Sequence, residues 1–188
     1  YTPRALTDFM AEIINPKVGE KMADFACGTG GFLASWLKAL DKKVQTAEDK
    51  EEYADSIYGI EKKQFPYMLC VTNMLLHDID SPKVMHDNSL TCDVLNYTDE
   101  DKFDVVLMNP PYGGNEQKDV KNHFPDDVAR SETADSFMSV IMYRLKEKGR
   151  AAVILPDGFL FGTDNAKIAI KKKLLKEFNL HTIIRLPH

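Results

Sequence analysis

The sequence predicts an α/β fold: a mostly parallel twisted sheet with helices on both faces. Apolar runs of strand length alternate with segments whose apolar residues recur at helical spacing. The strand-like runs are continuously apolar, as in a parallel sheet covered on both sides. With 188 residues, 44% of them apolar, the chain is long enough for its own core, and a single domain over 1–188 is expected.

The elements follow in order. "KMADFA" (21–26) reads as the first strand. Phe32, Leu33, Trp36, Leu37 and Leu40 then mark a helix. "SIYGIE" (56–61) is the second strand, "QFPYMLCVTNMLLHD" (64–78) a helix and "KVMHD" (83–87) a short third strand. "FDVVLMN" (103–109) is the strongest strand. "ETADSFMSVIMYRLKEKG" (132–149) carries Phe137, Val140, Ile141, Tyr143 and Leu145 on one helical face, with Gly149 as its expected stop. "RAAVILP" (150–156) is a strand, a Lys-rich helix follows near 165–178, and "LHTIIRLP" (180–187) is expected as a last strand. Two polar segments interrupt the alternation. Residues 41–55 read as a solvated helix extension or loop, and 113–132 as a lid or binding loop, being long for a plain connection.

Composition narrows the function classes. No stretch approaches the roughly 18 to 20 apolar residues of a membrane span. "YTPRALTDFM" is neither a signal peptide nor a methionine start, and "IIRLPH" ends inside an expected strand, so the sequence reads as a fragment. The net charge of −5, from 24 basic and 29 acidic residues, argues weakly against gripping a nucleic-acid backbone without a partner. Cys27, Cys70 and Cys92 are odd in number in a chain with no secretion signal, which suggests reduced thiols in the cytoplasm. Neither they nor the five histidines have the spacing of metal ligands, so no metal is expected.

Parallel sheets bind ligands at the carboxyl ends of their strands. The first strand runs into "ADFACGTGGFL" (23–33), where Asp24 precedes Gly28, Gly30 and Gly31. Glycines allow a tight turn and close approach of backbone to ligand. The dinucleotide fingerprint fails at Leu33, and an acidic residue before the turn suits an ammonium or sulfonium better than a pyrophosphate. Glu61, at the tip of the second strand, can accept both hydroxyls of a ribose. After the third strand, Asn88 or Asp87 can meet an adenine amino group, or simply form a turn. The fourth strand ends in "NPPY". Asn109 offers an amide oxygen, Pro110 a carbonyl in fixed geometry, Pro111 a second donor-free position and Tyr112 a flat ring. Two acceptors and a ring suit a planar amino group, whose lone pair is delocalised. Accepting both N–H bonds draws such a nitrogen toward a reactive tetrahedral state.

With "DFACGTGGF", "YGIE" and "NPPY" in this order, the chain closely resembles the S-adenosylmethionine-dependent DNA adenine-N6 methyltransferases, and above all the modification (methylase) subunits of type I restriction–modification systems. "YTPR" at the start and "GRAAVILPDGFLF" (149–161) with "IIRLP" narrow the resemblance to that group. It implies a Rossmann-like methyltransferase fold with S-adenosylmethionine as cofactor. Tyr1, Thr2 and Pro3 would lie along the cofactor's methionine end, Asp24 would hold its ammonium, and Ala26, Gly28, Gly30 and Gly31 would line the pocket. Glu61 would take the ribose hydroxyls and Asn88 the adenine edge. Asn109, Pro110, Pro111 and Tyr112 would hold the target adenine, flipped from the duplex. The implied partners are double-stranded DNA, a specificity subunit and a restriction subunit. The sequence departs from the family in the 41–55 insertion, which lengthens the spacing to Glu61, and in Asp87, where the family carries Gly. The family's helical region before Tyr1 and its segments after His188 are absent. The alternatives are a protein-glutamine or RNA amino methyltransferase, and a non-catalytic fragment that binds cofactor or docks subunits.

Overall fold

A computed structural model describes residues 1–113, 122–125, 128 and 132–186. Five strands form one sheet: β1 (Met22–Asp24), β2 (Ile57–Glu61), β3 (Val84–His86), β4 (Phe103–Met108) and β5 (Leu145–Val153). Their order is β3-β2-β1-β4-β5 and every pairing is parallel. The chain therefore winds outward from β1 through β2 to β3, then returns to the other side of β1 for β4 and β5. The reversal leaves a crevice between the carboxyl ends of β1 and β4, where a doubly wound sheet takes its ligand.

Each strand feeds both faces, as its continuous apolar run requires. Met22, Ile57, Val105 and Leu107 pack with α1 (Arg4–Ile14), α2 (Gly31–Asp41) and α4 (Gln64–Leu75). Their neighbours Ala23, Ile60, Val106 and Met108 pack on the other face with α5 (Thr133–Arg144) and α7 (Asn165–Glu177). The fully buried Trp36 on α2 donates its indole N–H to Ser56 Oγ at 3.0 Å, which ties that helix to the start of β2. The polar 41–55 segment holds a separate helix, α3 (Ala47–Ala54). Thr46 and Asp49 close it with a reciprocal capping box, and it buries no residue. Among the described residues no helix is long and apolar enough to cross a membrane.

Two expectations are corrected. The helix expected over 132–149 ends at Arg144, and β5 begins at Leu145 instead of 150. Arg144 is buried with its guanidinium 4.7 to 5.4 Å from the ring centres of Phe25, Tyr58, Tyr97 and Phe103, and its Nε donates to the Asp101 carbonyl at 3.0 Å. That anchorage fixes the helix end, and Leu145 pairs at once with Phe103. Residues between Leu145 and Arg150 bulge from the ladder, with Lys148 at φ +62°. A Cβ at Gly149 would lie 2.8 Å from the Lys146 carbonyl, so this glycine serves the bulge and not a helix stop. The expected last strand is also absent from its described part, 180–186. Ile183, Ile184 and Leu186 are exposed, and Arg185 bonds Asp157 Oδ2 at 3.1 Å outside any ladder. An apolar run supplies side chains for a strand, but without a neighbouring strand its backbone stays unpaired. Between β5 and α7 lies a short helix, α6 (Asp157–Phe161).

Candidate active site

The turn after β1 is built to present backbone. Gly28 and Gly30 have φ of +56° and +82°, in the left-handed region that favours glycine. Gly30 caps α2, and a Cβ there would come 2.8 Å from Cys70 Sγ and 3.2 Å from Met74 Cε. At Gly28 a Cβ would meet nothing within 4 Å, so this residue faces open space. Asp24 closes β1 with 1% exposure and accepts the Ala26 N–H at 3.0 Å. Burial pushes its carboxyl up to about 8; the Ala26 bond opposes this, and the negative charge of Glu61 adds to it. A buried carboxyl of this kind is set to ionise against an incoming cation.

Glu61, 9% exposed, accepts the Gly28 N–H on Oε2 at 2.9 Å and the Lys63 N–H on Oε1 at 2.7 Å. It therefore sits behind the glycine turn and holds it. The loop after β3 joins the same assembly, because the Ser89 hydroxyl donates to the Phe25 carbonyl. Asn88 Oδ1 accepts the Leu90 N–H at 3.1 Å, and Asp87 Oδ1 accepts the Asn88 N–H at 2.7 Å. This is the turn geometry that Asp-Asn-Ser favours.

On the other wall of the crevice, Val105 to Met108 are fully buried and fix where Asn109 leaves the sheet. Asn109 Nδ2 donates to Thr2 Oγ1 at 3.2 Å, and the Tyr112 hydroxyl donates to Asn109 Oδ1 at 2.6 Å. The same hydroxyl lies 3.2 Å from the Ile154 carbonyl at the end of β5. Pro110 is buried, Pro111 exposed, and Tyr112 49% exposed. The Tyr112 phenol is pushed up by burial.

A cleft of about 500 Å³, open to solvent, unites these walls. Tyr1, Thr2, Asp24, Ala26, Gly28, Gly31 and Asn109 line it together. Tyr1 is fully exposed at the rim, and Pro3 caps α1, its carbonyl accepting the Leu6 and Thr7 N–H groups. Gly30, Glu61 and Asn88 do not line the cleft: Gly30 caps α2, Glu61 holds the glycine turn, and Asn88 closes the turn after β3. Thr7, Cys27, Thr29 and Phe32 line it without having been predicted as site residues. Thr7 was legible only through the helix it sits on, whose Leu6, Met10, Ala11 and Ile14 repeat at helical spacing. The lid expected over 113–132 lies largely outside the described residues; within it, Phe124 is buried and the His123 carbonyl accepts the Val94 N–H at 3.0 Å. Among the described residues, no group of three or more His, Cys, Asp or Glu side chains is placed to hold a metal.

A family model described as N-6 DNA Methylase matches residues 1–188. The methylase subunit of the type I restriction enzyme EcoEI from Escherichia coli is 50% identical over 190 residues, covering all of this chain and 38% of its own length. The type II restriction enzyme and methyltransferase RM.BcgI from Heyndrickxia coagulans is 34% identical over 191 residues, 98% of this chain and 28% of that protein. Among solved structures, a modification subunit from Vibrio vulnificus YJ016 superposes with a TM-score of 0.91 at 42% identity, covering 96% of this chain and 39% of that one. The M protein of the type I restriction enzyme EcoKI gives 0.72 at 28% identity, over 93% of this chain and 37% of its own. The chain thus spans less than two fifths of the length of each of these four proteins.

Proposed function

Because this chain belongs to the N-6 DNA methylase family, we propose that it is the catalytic domain of a modification subunit that methylates the N6 amino group of adenine in double-stranded DNA. The observation that carries this reading is the single cleft shared by buried Asp24 and by Asn109 at the tip of β4.

The residues fit S-adenosylmethionine. Asp24 has no ion pair among the described residues and ionises against the ammonium. Gly28 leaves backbone and open space for the ligand to approach, with Ala26, Gly30 and Gly31 shaping the same turn and Tyr1, Thr2 and Pro3 bordering it. Glu61 takes the ribose hydroxyls with the lone pairs left over from its two backbone bonds. The loop of Asp87 and Asn88 meets the cofactor's adenine. When bound, the cofactor supplies an electrophilic methyl group on sulfur.

The chain's own work is on the target nitrogen. Asn109 Oδ1 and the Pro110 carbonyl accept its two N–H bonds, which weakens delocalisation into the base and aims the lone pair. Pro110 and Pro111 add no competing donor. Tyr112 releases Asn109 and lays its ring on the flipped base. After transfer the nitrogen carries an extra proton. The acceptors Asn109 Oδ1 and Pro110 O hold that proton until it passes to water, so no strong base is required.

The formal charge of −5 supports a division of labour in which a specificity subunit supplies most of the DNA grip, with a restriction subunit completing the system in the cytoplasm. The test is labelled methyl transfer to DNA by the full-length protein with its specificity partner. Asn109→Ala should abolish transfer while calorimetric cofactor binding persists. Transfer to protein or RNA, and none to DNA, overturns the reading.

A further inference from the structure

Asn109 works only one way round. A carboxamide is nearly symmetric in shape, but one end accepts and the other donates. Turned through half a rotation, it would set N–H bonds against the target's N–H bonds. Two contacts bear on its orientation. Tyr112 donates to Oδ1, the end the target needs, from a half-exposed ring that the proposed mechanism moves onto the base. Thr2 accepts from Nδ2, the end the target does not use, across 107 residues of sequence.

We infer that Thr2 is a positioning residue: its hydroxyl, accepting from Nδ2, holds the Asn109 amide in place so that Oδ1 is left for the target amino group. This rests on the function proposed above and goes beyond it, since the resemblance assigns Thr2 to the cofactor alone. The lock is held in turn by the start of α1. The Pro3 carbonyl accepts from Leu6 and Thr7, which fixes Thr2 at the entry to α1. Thr7 is buried against α2, where the Ser35 hydroxyl lies 2.8 Å from its Oγ1, and Arg4 Nη1 donates to the Gly31 carbonyl at 3.4 Å. The segment that orients the target-binding amide is thereby pinned to the helix that begins at the cofactor turn.

The test uses the full-length protein with its partner subunits and compares Thr2→Val, which keeps the branched shape without the hydroxyl, with Thr2→Ser, which restores it. Thr2→Val should lower kcat for methyl transfer about tenfold, leave KM for DNA unchanged, and leave cofactor affinity by calorimetry within about twofold. Thr2→Ser should recover most of the rate. A parallel loss of cofactor affinity, or a Ser variant as slow as the Val variant, overturns the proposal. Unimpaired DNA methylation in Asn109→Ala would instead overturn the function on which it rests.

Discussion

Cofactor affinity should depend steeply on pH below neutrality, and the dependence should belong to Asp24. In the free protein its carboxyl titrates near 8 because burial outweighs its one backbone hydrogen bond. Only the ionised form pairs with an ammonium, so binding must expel a proton. Below pH 8 the ionised fraction falls about tenfold per pH unit, equivalent to about 1.4 kcal/mol of binding free energy per unit. From pH 7.5 to pH 6 the apparent Kd should rise about 25-fold. Calorimetry in buffers of different ionisation enthalpy should count close to one proton released at pH 6. Asp24→Asn should remove both slope and proton release, and should bind more weakly at pH 7.5. A flat profile between pH 6 and 7.5, or the same slope in the Asn variant, refutes the reasoning. Stability carries the opposite sign. A folded pKa raised above the unfolded 3.8 means that Asp24 costs stability as pH climbs from about 4 to 8. The unliganded protein should therefore gain thermal stability from Asp24→Asn at pH 8 and gain little at pH 4.

Two further outcomes follow from packing. Arg144→Ala should destabilise the fold by about 3 kcal/mol in denaturant titration, because it empties a box of four aromatic rings and frees the Asp101 carbonyl; Arg144→Lys should recover less than half, as one ammonium cannot face all four rings. Gly30→Ala combines a φ of +82° with a Cβ 2.8 Å from Cys70 Sγ, and should cost about 1–3 kcal/mol of stability. Pairing it with Cys70→Ala should relieve the steric part only, which a thermal-melt double-mutant cycle resolves.

Much of this fold was legible because its strands are buried on both faces. Val105 to Met108 leave no reading but a central strand, and that strand places Asn109. The Gly-rich turn was legible from its glycines and the aspartate before them. What sequence reading missed is set by contacts between distant segments. The end of α5 depends on rings contributed by 25, 58, 97 and 103, so the helical pattern ran on past Arg144 to Gly149. The apolar run at 180–186 looks like a strand, and pattern alone cannot report whether a neighbour exists to pair with it. The bond from Asn109 to Thr2 spans 107 residues, and no local spacing encodes it. Asn88 was read as an adenine contact or a turn residue; its side-chain oxygen is engaged in the turn.

The two backbone bonds to Glu61 constrain how this cleft can diverge. Had the carboxylate met the ligand alone, a lineage could trade it for a neutral or basic residue and shift its preference among nucleosides one substitution at a time. Here the same exchange would strip the Gly28 and Lys63 N–H groups of their acceptor and loosen the turn beside Asp24. A change of ligand would therefore need at least two coordinated substitutions, with an intermediate that binds neither ligand well. Wiring the proposed ribose-binding group into the scaffold would make the choice of cofactor hard to reverse.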